Sequence, residues 1–260
     1  MIRILMLGRL GNNLFQYALG RVLAEKHGTE LAMDASWFNE EGWSQVNCLK
    51  LLPGPASGTV KVTRRLSLGA RALLKATGKH YWEYRGLPVL KESERDQSFA
   101  PRFLEAPADC MLFGYFQSPL YFSEMENQLR RELSTEGLGL ERGRESLAER
   151  LLQPGSVAVH VRRTDYIGNP NLDLCGMDYY RTAMQRIRES VEATRFHVFS
   201  DDPAWCRSRF QESDCEVLDQ GPDNMPLADL HLMSSASHHI IANSSFSWWA
   251  AWLGKKTNQK

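Results

Sequence analysis

The chain lacks a charge excess of either sign: 31 Lys and Arg residues balance 31 Asp and Glu. Nucleic-acid binders usually carry a basic excess, so a nucleic-acid partner is not expected. Long apolar runs are missing too. None approaches the roughly 20 residues that span a bilayer, and the opening Met1–Leu7 is too short, and without a cleavage site, for a signal peptide. Cysteine is sparse and odd in number: Cys48, Cys110, Cys175, Cys206 and Cys215 stand far apart with no C-x-x-C pair. That spacing supports neither a zinc ribbon nor a dithiol redox motif. Scattered reduced thiols are expected instead, and with them a cytoplasmic protein. There is no G-x-G-x-x-G, so the dinucleotide fingerprint is absent. His238 and His239 are adjacent and would face opposite sides of a strand, a poor metal pair.

What the chain does have is 43% hydrophobic residues over 260 positions, enough for a sizeable core in one or two domains. Ile2–Leu7 reads as a buried strand ended by Gly8, followed by a glycine-bearing turn over 8–13. Phe15, Ala18, Leu19, Val22 and Leu23 then fall at helical spacing, with Gly28 placed to stop the helix. Leu31–Asp34 reads as the next strand, completing a right-handed βαβ unit. Residues 37–103 show no usable periodicity. Cys110–Phe116 reads as a strand, Ser118–Leu133 as a helix, and Glu136–Glu149 as a glycine-bearing linker. After it strands and helices alternate: strands at Val157–Val161, Phe196–Phe199, Val217–Leu218 and His239–Ala242, helices at Tyr179–Glu192, Pro203–Phe210, Pro226–Ser235 and Phe246–Leu253. Such alternation predicts an open parallel sheet covered on both faces. Two α/β halves, 1–140 and 141–260, are expected to face each other across a cleft. Ligands in such sheets bind beyond the carboxyl ends of the strands.

Four polar turns follow strands. Gly8-Arg9-Leu10-Gly11-Asn12-Asn13 would let the backbone approach a ligand, or is a plain βα turn. His160-Val161-Arg162-Arg163-Thr164-Asp165-Tyr166 puts two guanidinium groups at a strand end. These match phosphate oxygens in a bidentate way, though a surface pair bridged to Asp165 or Asp173 is the alternative. Ser200-Asp201-Asp202-Pro203 offers either a helix cap or a carboxylate for the N1 and N2 donors of guanine. Asn243-Ser244-Ser245-Phe246 opens a helix whose free N–H groups suit an anion; Trp248, Trp249 and Trp252 behind it read as core. Many nucleotide-sugar transferases hold a divalent metal with Asp-x-Asp, and the chain contains none. No metal is therefore expected, and neutralising a diphosphate would fall to Arg162, Arg163 and the helix start.

These residues resemble the alpha-1,2-fucosyltransferases of glycosyltransferase family 11. The matching blocks are Gly11-Asn12 with Phe15-Gln16-Tyr17-Ala18, Gly114-Tyr115-Phe116-Gln117-Ser118 with Tyr121-Phe122, and His160-Val161-Arg162-Arg163 with Asp165-Tyr166. Tyr179-Tyr180, Ser200-Asp201-Asp202 and Asn243–Leu253 complete them, in family order over residues 8–254. The His-x-Arg-Arg-x-Asp-Tyr and Asn-Ser-Ser-Phe-Ser-Trp-Trp blocks are the specific ones. Asn13 departs from the usual Gln, and Thr164 from a common Gly. The chain also ends at Lys260, where relatives usually continue with another strand and helix, pointing to a shortened C-terminus.

The resemblance implies a GT-B type fold of two Rossmann-like domains, with the acceptor largely on the first and GDP-fucose largely on the second. It implies inverting, metal-independent transfer of L-fucose to the 2-hydroxyl of a terminal galactose-type residue on a glycan, with no cofactor beyond the GDP-fucose substrate. Arg162 is implied at the donor's diphosphate and Asn12 at the active cleft. The expected catalytic residues are Arg162, Asp165 and His160, the latter two as rival general bases. Expected donor contacts are Gly11, Asn12, Arg162, Arg163, Ser200, Asp201, Asp202, Asn243, Ser244 and Ser245. Transfer of another GDP-sugar or linkage, and a nucleotide- or glycan-binding protein without catalysis, are the alternatives. Seven Lys or Arg residues against one acid between Lys61 and Arg85 read either as a solvated basic face or as peripheral contact with an anionic membrane surface.

Overall fold

A computed structural model of the chain describes residues 1–35, 60–63, 69, 72, 76, 86–93, 96–136, 139, 143–219, 226–254 and 259–260. The chain divides into two compact units, Met1–Ser134 and Thr135–Lys260.

The first unit is built on a five-stranded sheet: β1 (Ile2–Leu5), β2 (Leu31–Asp34), β3 (Val60–Thr63), β4 (Val89–Lys91) and β5 (Cys110–Phe113). The order is β3-β2-β1-β5-β4 and every pairing is parallel. Strands β3 and β4 lie in the stretch where the sequence shows no period, because three- and four-residue strands are too short to display one. Helix α1 (Leu10–Lys26) crosses from β1 to β2 and is followed by Gly28 in the left-handed region at φ +57°. It starts earlier than the glycine pattern implies. Only Gly8 has a positive φ, +73°, whereas Gly11, Asn12 and Asn13 already belong to the helix.

Helix α1 is buried almost all round, its polar Asn13, Gln16 and Arg21 included. Arg21 and Glu132, 4% and 8% exposed, pair at 3.0 Å, and Tyr17 Oη donates to the same carboxylate at 2.8 Å. Burial favours protonating Glu132, but hydrogen bonds from Arg21, Gln128 and Tyr17 overcome it and hold the carboxyl below its ordinary value. Ser118–Leu133 is not one helix. Ser118 Oγ accepts from Leu120 N and caps a 3-10 turn at Pro119–Tyr121, a second turn follows at Ser123–Met125, and only α2 (Glu126–Glu132) is α-helical. Phe122 between them, at φ −139° and ψ 19°, interrupts the helical path.

The second unit carries a four-stranded parallel sheet, β6 (Ser156–Val161), β7 (Arg195–Ser200), β8 (Cys215–Val217) and β9 (His238–Ile240), in the order β8-β7-β6-β9. Its helices are α3 (Glu145–Leu151), α4 (Met177–Ser190), α5 (Pro203–Arg207), α6 (Pro226–Ser235) and α7 (Ser245–Leu253). Helix α3 occupies part of the stretch read as linker, because Leu147 and Leu151 find a core to enter. Val157, Val159, Val161, Phe196, Val198 and Ile240 pack against Tyr180, Met184 and Ile187 of α4 and against Cys206 and Phe210. The alternate residues Ala158, His160, His197 and His239 turn to the opposite face. There His239 Nε2 reaches Met233 O of α6 at 2.8 Å, and the His160 ring lies 5.6 Å from that of Phe246 on α7. Trp249 is fully buried, while Trp248 and Trp252 are half-buried and stack at 6.2 Å.

Cys110, Cys175, Cys206 and Cys215 are free thiols, and no described helix is long and apolar enough to cross a membrane. The basic stretch 61–85, on which the membrane-contact expectation rests, lies mostly outside the described residues.

Candidate functional site

In each unit the sheet order reverses direction beside its first strand, between β1 and β5 in one and between β6 and β9 in the other. Such switch points open a crevice at the carboxyl ends of the strands. The chemistry-bearing residues of both units gather there.

In the second unit Asp201, at the end of β7, is the hub. Its Oδ1 accepts from Arg163 N at 2.9 Å, and its Oδ2 from Thr164 N at 3.2 Å and Thr164 Oγ1 at 2.5 Å. Arg162 Nη1 pairs with Oδ2 at 3.1 Å, both side chains being 16% exposed. The carboxylate thereby folds the turn after β6 back onto the end of β7. Arg162 Nε also reaches Asp165 Oδ1 at 2.8 Å, and its guanidinium lies 5.8 Å from the Tyr166 ring centroid. Two carboxylates thus orient one guanidinium at the strand end.

Tyr166 ties this turn to the one after β9. Its hydroxyl donates to Asn243 O at 3.5 Å and interacts with Ser244. Cys175 Sγ stands 3.8 Å from Asn243 Oδ1, and Tyr179 Oη donates to Ile241 O at 2.6 Å. Ser244 caps α7, accepting from Phe246 N at 3.3 Å, and Ser245 is its first residue. Arg162, Asp165, Tyr166, Asn243 and Ser244 therefore share one neighbourhood.

Arg163 faces elsewhere. Its Nε pairs with Asp202 Oδ2 at 3.2 Å and its guanidinium stacks 3.7 Å from the Trp205 ring centroid. Asp202 Oδ1 caps α5 through Trp205 N at 3.1 Å, while Ser200 Oγ accepts from Asp202 N at 3.0 Å. The Ser-Asp-Asp block thus fills the capping role open to it in the sequence. His160 lies under the turn at 6% exposure with Nδ1 buried and unbonded. Burial pulls its imidazole down to about 4, against the opposing pull of Asp201, so the ring is neutral near pH 7.

In the first unit Gly8, Gly11 and Asn12 occupy the start of α1. A Cβ on Gly8 would fall 2.1 Å from Asn12 Nδ2, so this turn needs glycine for close approach as well as for its φ. Gln117 Nε2 donates to Asn12 Oδ1 at 2.7 Å, and Gln16 Nε2 to Gly114 O at 2.8 Å, joining the ends of β1 and β5. Asn13 Nδ2 bonds Leu7 O and Gln16 Oε1 at 2.9 and 3.1 Å, leaving its Oδ1 buried without a partner. Motif reasoning passed over Glu92, whose carboxylate accepts from Tyr115 N at 2.7 Å and Phe116 N at 3.1 Å. Nothing in the weakly patterned stretch around it marks it out.

Among the described residues no three His, Cys, Asp or Glu side chains are grouped to hold a metal ion. The fold is shared with the fucosyltransferase NodZ from Bradyrhizobium, with a TM-score of 0.59 at 14% identity over 96% of this chain and 91% of that one. The NodZ alpha-1,6-fucosyltransferase has also been solved after soaking with GDP-fucose. An Escherichia coli alpha-1,2-colitosyltransferase is 28% identical over 95% of this chain and 85% of its own length. The mouse galactoside 2-alpha-L-fucosyltransferase Sec1 is 26% identical over 97% of this chain and 64% of its own. The sequence profile of glycosyl transferase family 11 matches residues 94–259, the later part of the first unit and all of the second but its last residue. The chain belongs to glycosyl transferase family 11.

Proposed function

We propose that the protein transfers L-fucose from GDP-fucose to the 2-hydroxyl of a terminal galactose-type residue on a glycan, with inversion and without a metal ion. The observation that carries this reading is the Arg162 guanidinium, held by Asp165 and Asp201 next to the Asn243–Ser245 turn. A fixed guanidinium and a capped helix start suit a diphosphate leaving group, whose developing charge dominates an oxocarbenium-like transition state. In this reading the donor lies on the second unit, with Arg162 and the N–H groups of Ser244 and Ser245 at the diphosphate. Asp201 and Asp202 act by positioning the two arginines, and His160 supports the turn from below. Gly11 and Asn12, expected among the donor contacts, are reassigned in this reading to the acceptor side, because they lie on the first unit. The two units are proposed to face each other in a GT-B arrangement, divided near residues 134–140.

A second reading, colitose in place of fucose, is favoured by the colitosyltransferase relative matched over 95% of the chain. Incubation with a panel of nucleotide sugars and terminal galactosides separates the two: GDP release with fucose transfer, an alpha-1,2 linkage by NMR and full activity in EDTA are expected. Release of no nucleotide from any donor rejects both. Loss of activity in EDTA, restored by a divalent cation, rejects the metal-independent form.

A further inference from the structure

The family block Gly114-Tyr115-Phe116-Gln117 has no role in the donor chemistry above, yet its backbone is built around one carboxylate. Glu92 follows β4 and reaches across the end of β5. Its Oε2 accepts from Tyr115 N at 2.7 Å and Phe116 N at 3.1 Å, while Oε1 receives only a longer contact from Phe116 N at 3.2 Å. Oε1 is thus the oxygen with lone pairs to spare. A Cβ on Gly114 would stand 2.5 Å from Glu92 Cβ and 2.9 Å from its Oε2, so the glycine makes room for the carboxylate. Phe116 is held in the left-handed region at φ 54°, unfavourable for a bulky side chain. Its full burial against Phe103 and Tyr121, with centroids 5.0 and 6.1 Å away, offsets that strain. The next residue, Gln117, bonds Asn12, so carboxylate, loop and the Gly8–Asn12 turn form one assembly at the switch point.

We propose that Glu92 is a catalytic residue, the general base that takes the proton from the acceptor hydroxyl. The inference rests on the sugar-transfer reading above. The acceptor oxygen forms its bond to the anomeric carbon as the bond from that carbon to the phosphate oxygen breaks. The leaving electron pair stays on GDP, and the hydroxyl proton passes to Glu92 Oε1. The bases named from the sequence suit this step less well. Asp165 is engaged by Arg162, and the His160 ring is buried beneath the turn after β6.

No cation among the described residues lies within ion-pair distance of Glu92. Among the described residues, the titratable groups on the surrounding elements are Lys91, Arg102, Tyr115 and Tyr121. Lys91 lies 5.7 Å from the Phe113 ring centroid, Arg102 stacks on Phe103 and bonds Lys91 O, and Tyr121 Oη accepts from Ala100 N. Burial pushes the Glu92 carboxyl above its ordinary value despite the Phe116 and Tyr115 N–H groups, the direction that makes a carboxylate a better base.

The test is the pH dependence of turnover, from pH 4.5 to 8, for the wild type, Glu92→Gln and Glu92→Asp, with GDP affinity by calorimetry. The wild type is expected to lose turnover on the acid side through an apparent pKa above that of an ordinary glutamate. Glu92→Gln should slow turnover about 10²–10⁴-fold, abolish the acid limb and leave the GDP affinity within about threefold of the wild type. Glu92→Asp should keep the limb at a reduced rate. A Glu92→Gln enzyme within about threefold of the wild-type rate, or one keeping the same acid limb, overturns the proposal. Should that variant not fold, a flat wild-type profile over the acid range, or Glu92→Asp without the limb, overturns it equally. Absence of GDP release by the wild type is a different result, and it is the transferase reading that then fails.

Discussion

The two crevices share a topology and differ in chemistry. At the β6/β9 end five charged side chains, Arg162, Arg163, Asp165, Asp201 and Asp202, interlock in ion pairs. At the β1/β5 end the bonds joining the two strand ends run between neutral amides, Asn12 to Gln117 and Gln16 to the Gly114 carbonyl, and the one carboxylate they enclose has no cationic partner among the described residues. A network of paired charges fixes the orientation of the Arg162 guanidinium. An amide network around a carboxylate is the setting on which the proposed role of Glu92 rests. One architecture thus carries two different side-chain chemistries at its two switch points.

This contrast can be broken by substitution, and the largest expected effect is structural. Glu132→Ala takes away the buried partner of Arg21 and leaves it only the exposed Glu25, at 3.3 Å; breaking a buried pair costs about 3–5 kcal/mol. Urea denaturation should show that loss in the first unit, with GDP affinity retained at low temperature. Unchanged stability would mean that the ion pair under α1 does not organise that unit. Arg162→Ala should remove about 2.7–4 kcal/mol of transition-state stabilisation and slow turnover about 10²–10³-fold, while circular dichroism stays that of the wild type. Turnover at the wild-type level would detach the charged crevice from the chemistry.

His160 sharpens the comparison through pH. Its folded pKa of about 4 lies below the unfolded value near 6.5, so the unfolded chain binds the proton first. Stability is therefore complete above pH 6.5 and declines as pH falls toward 4, by up to about 3 kcal/mol. Thermal melts of the wild type and His160→Asn over that range should diverge, the variant having the flatter profile. Parallel profiles would place the ring in contact with water. Asp201→Asn keeps the shape of the hub but weakens its hold on Arg162. Hydrogen bonds to charged groups contribute about 1.5–3 kcal/mol, so turnover should fall roughly 10- to 150-fold, with a smaller change in donor KM. An equal rise in KM at constant turnover would instead make Asp201 a donor contact. Gln117→Ala, which cuts a neutral bond in the other crevice, should cost only about 0.5–1.5 kcal/mol in acceptor kcat/KM. A loss as large as that of Arg162→Ala would erase the distinction between the two ends.

Much of the second unit was legible in advance because its two central strands are apolar but for one histidine each inside the run, and polar turns follow them. Val157–Val161 and Phe196–Phe199 announce themselves, and Asp202 and Ser244 stand where caps should. Gly28 likewise marked the end of α1. The failures have a common physical origin. Strands β3 and β4 are too short to show a period, and α3 was hidden by the glycines ahead of it. The helix expected over 118–133 broke into 3-10 turns because Ser118 and Pro119 satisfy the backbone locally. The roles of Asp201 and Asp202 were ambiguous in the sequence, since a capping carboxylate and a guanine-binding one look alike until their partners are seen.

Residue order and type alone were enough for the α/β class, for the four polar turns placed after strands and for the family. These rest on hydrophobic period and local capping, which short stretches of chain encode. Which carboxylate holds which arginine, and that Glu92 sits over a glycine in a loop some twenty residues away, emerged only from the packed chain. Those pairings join residues distant in sequence, and burial and strand register bring them together.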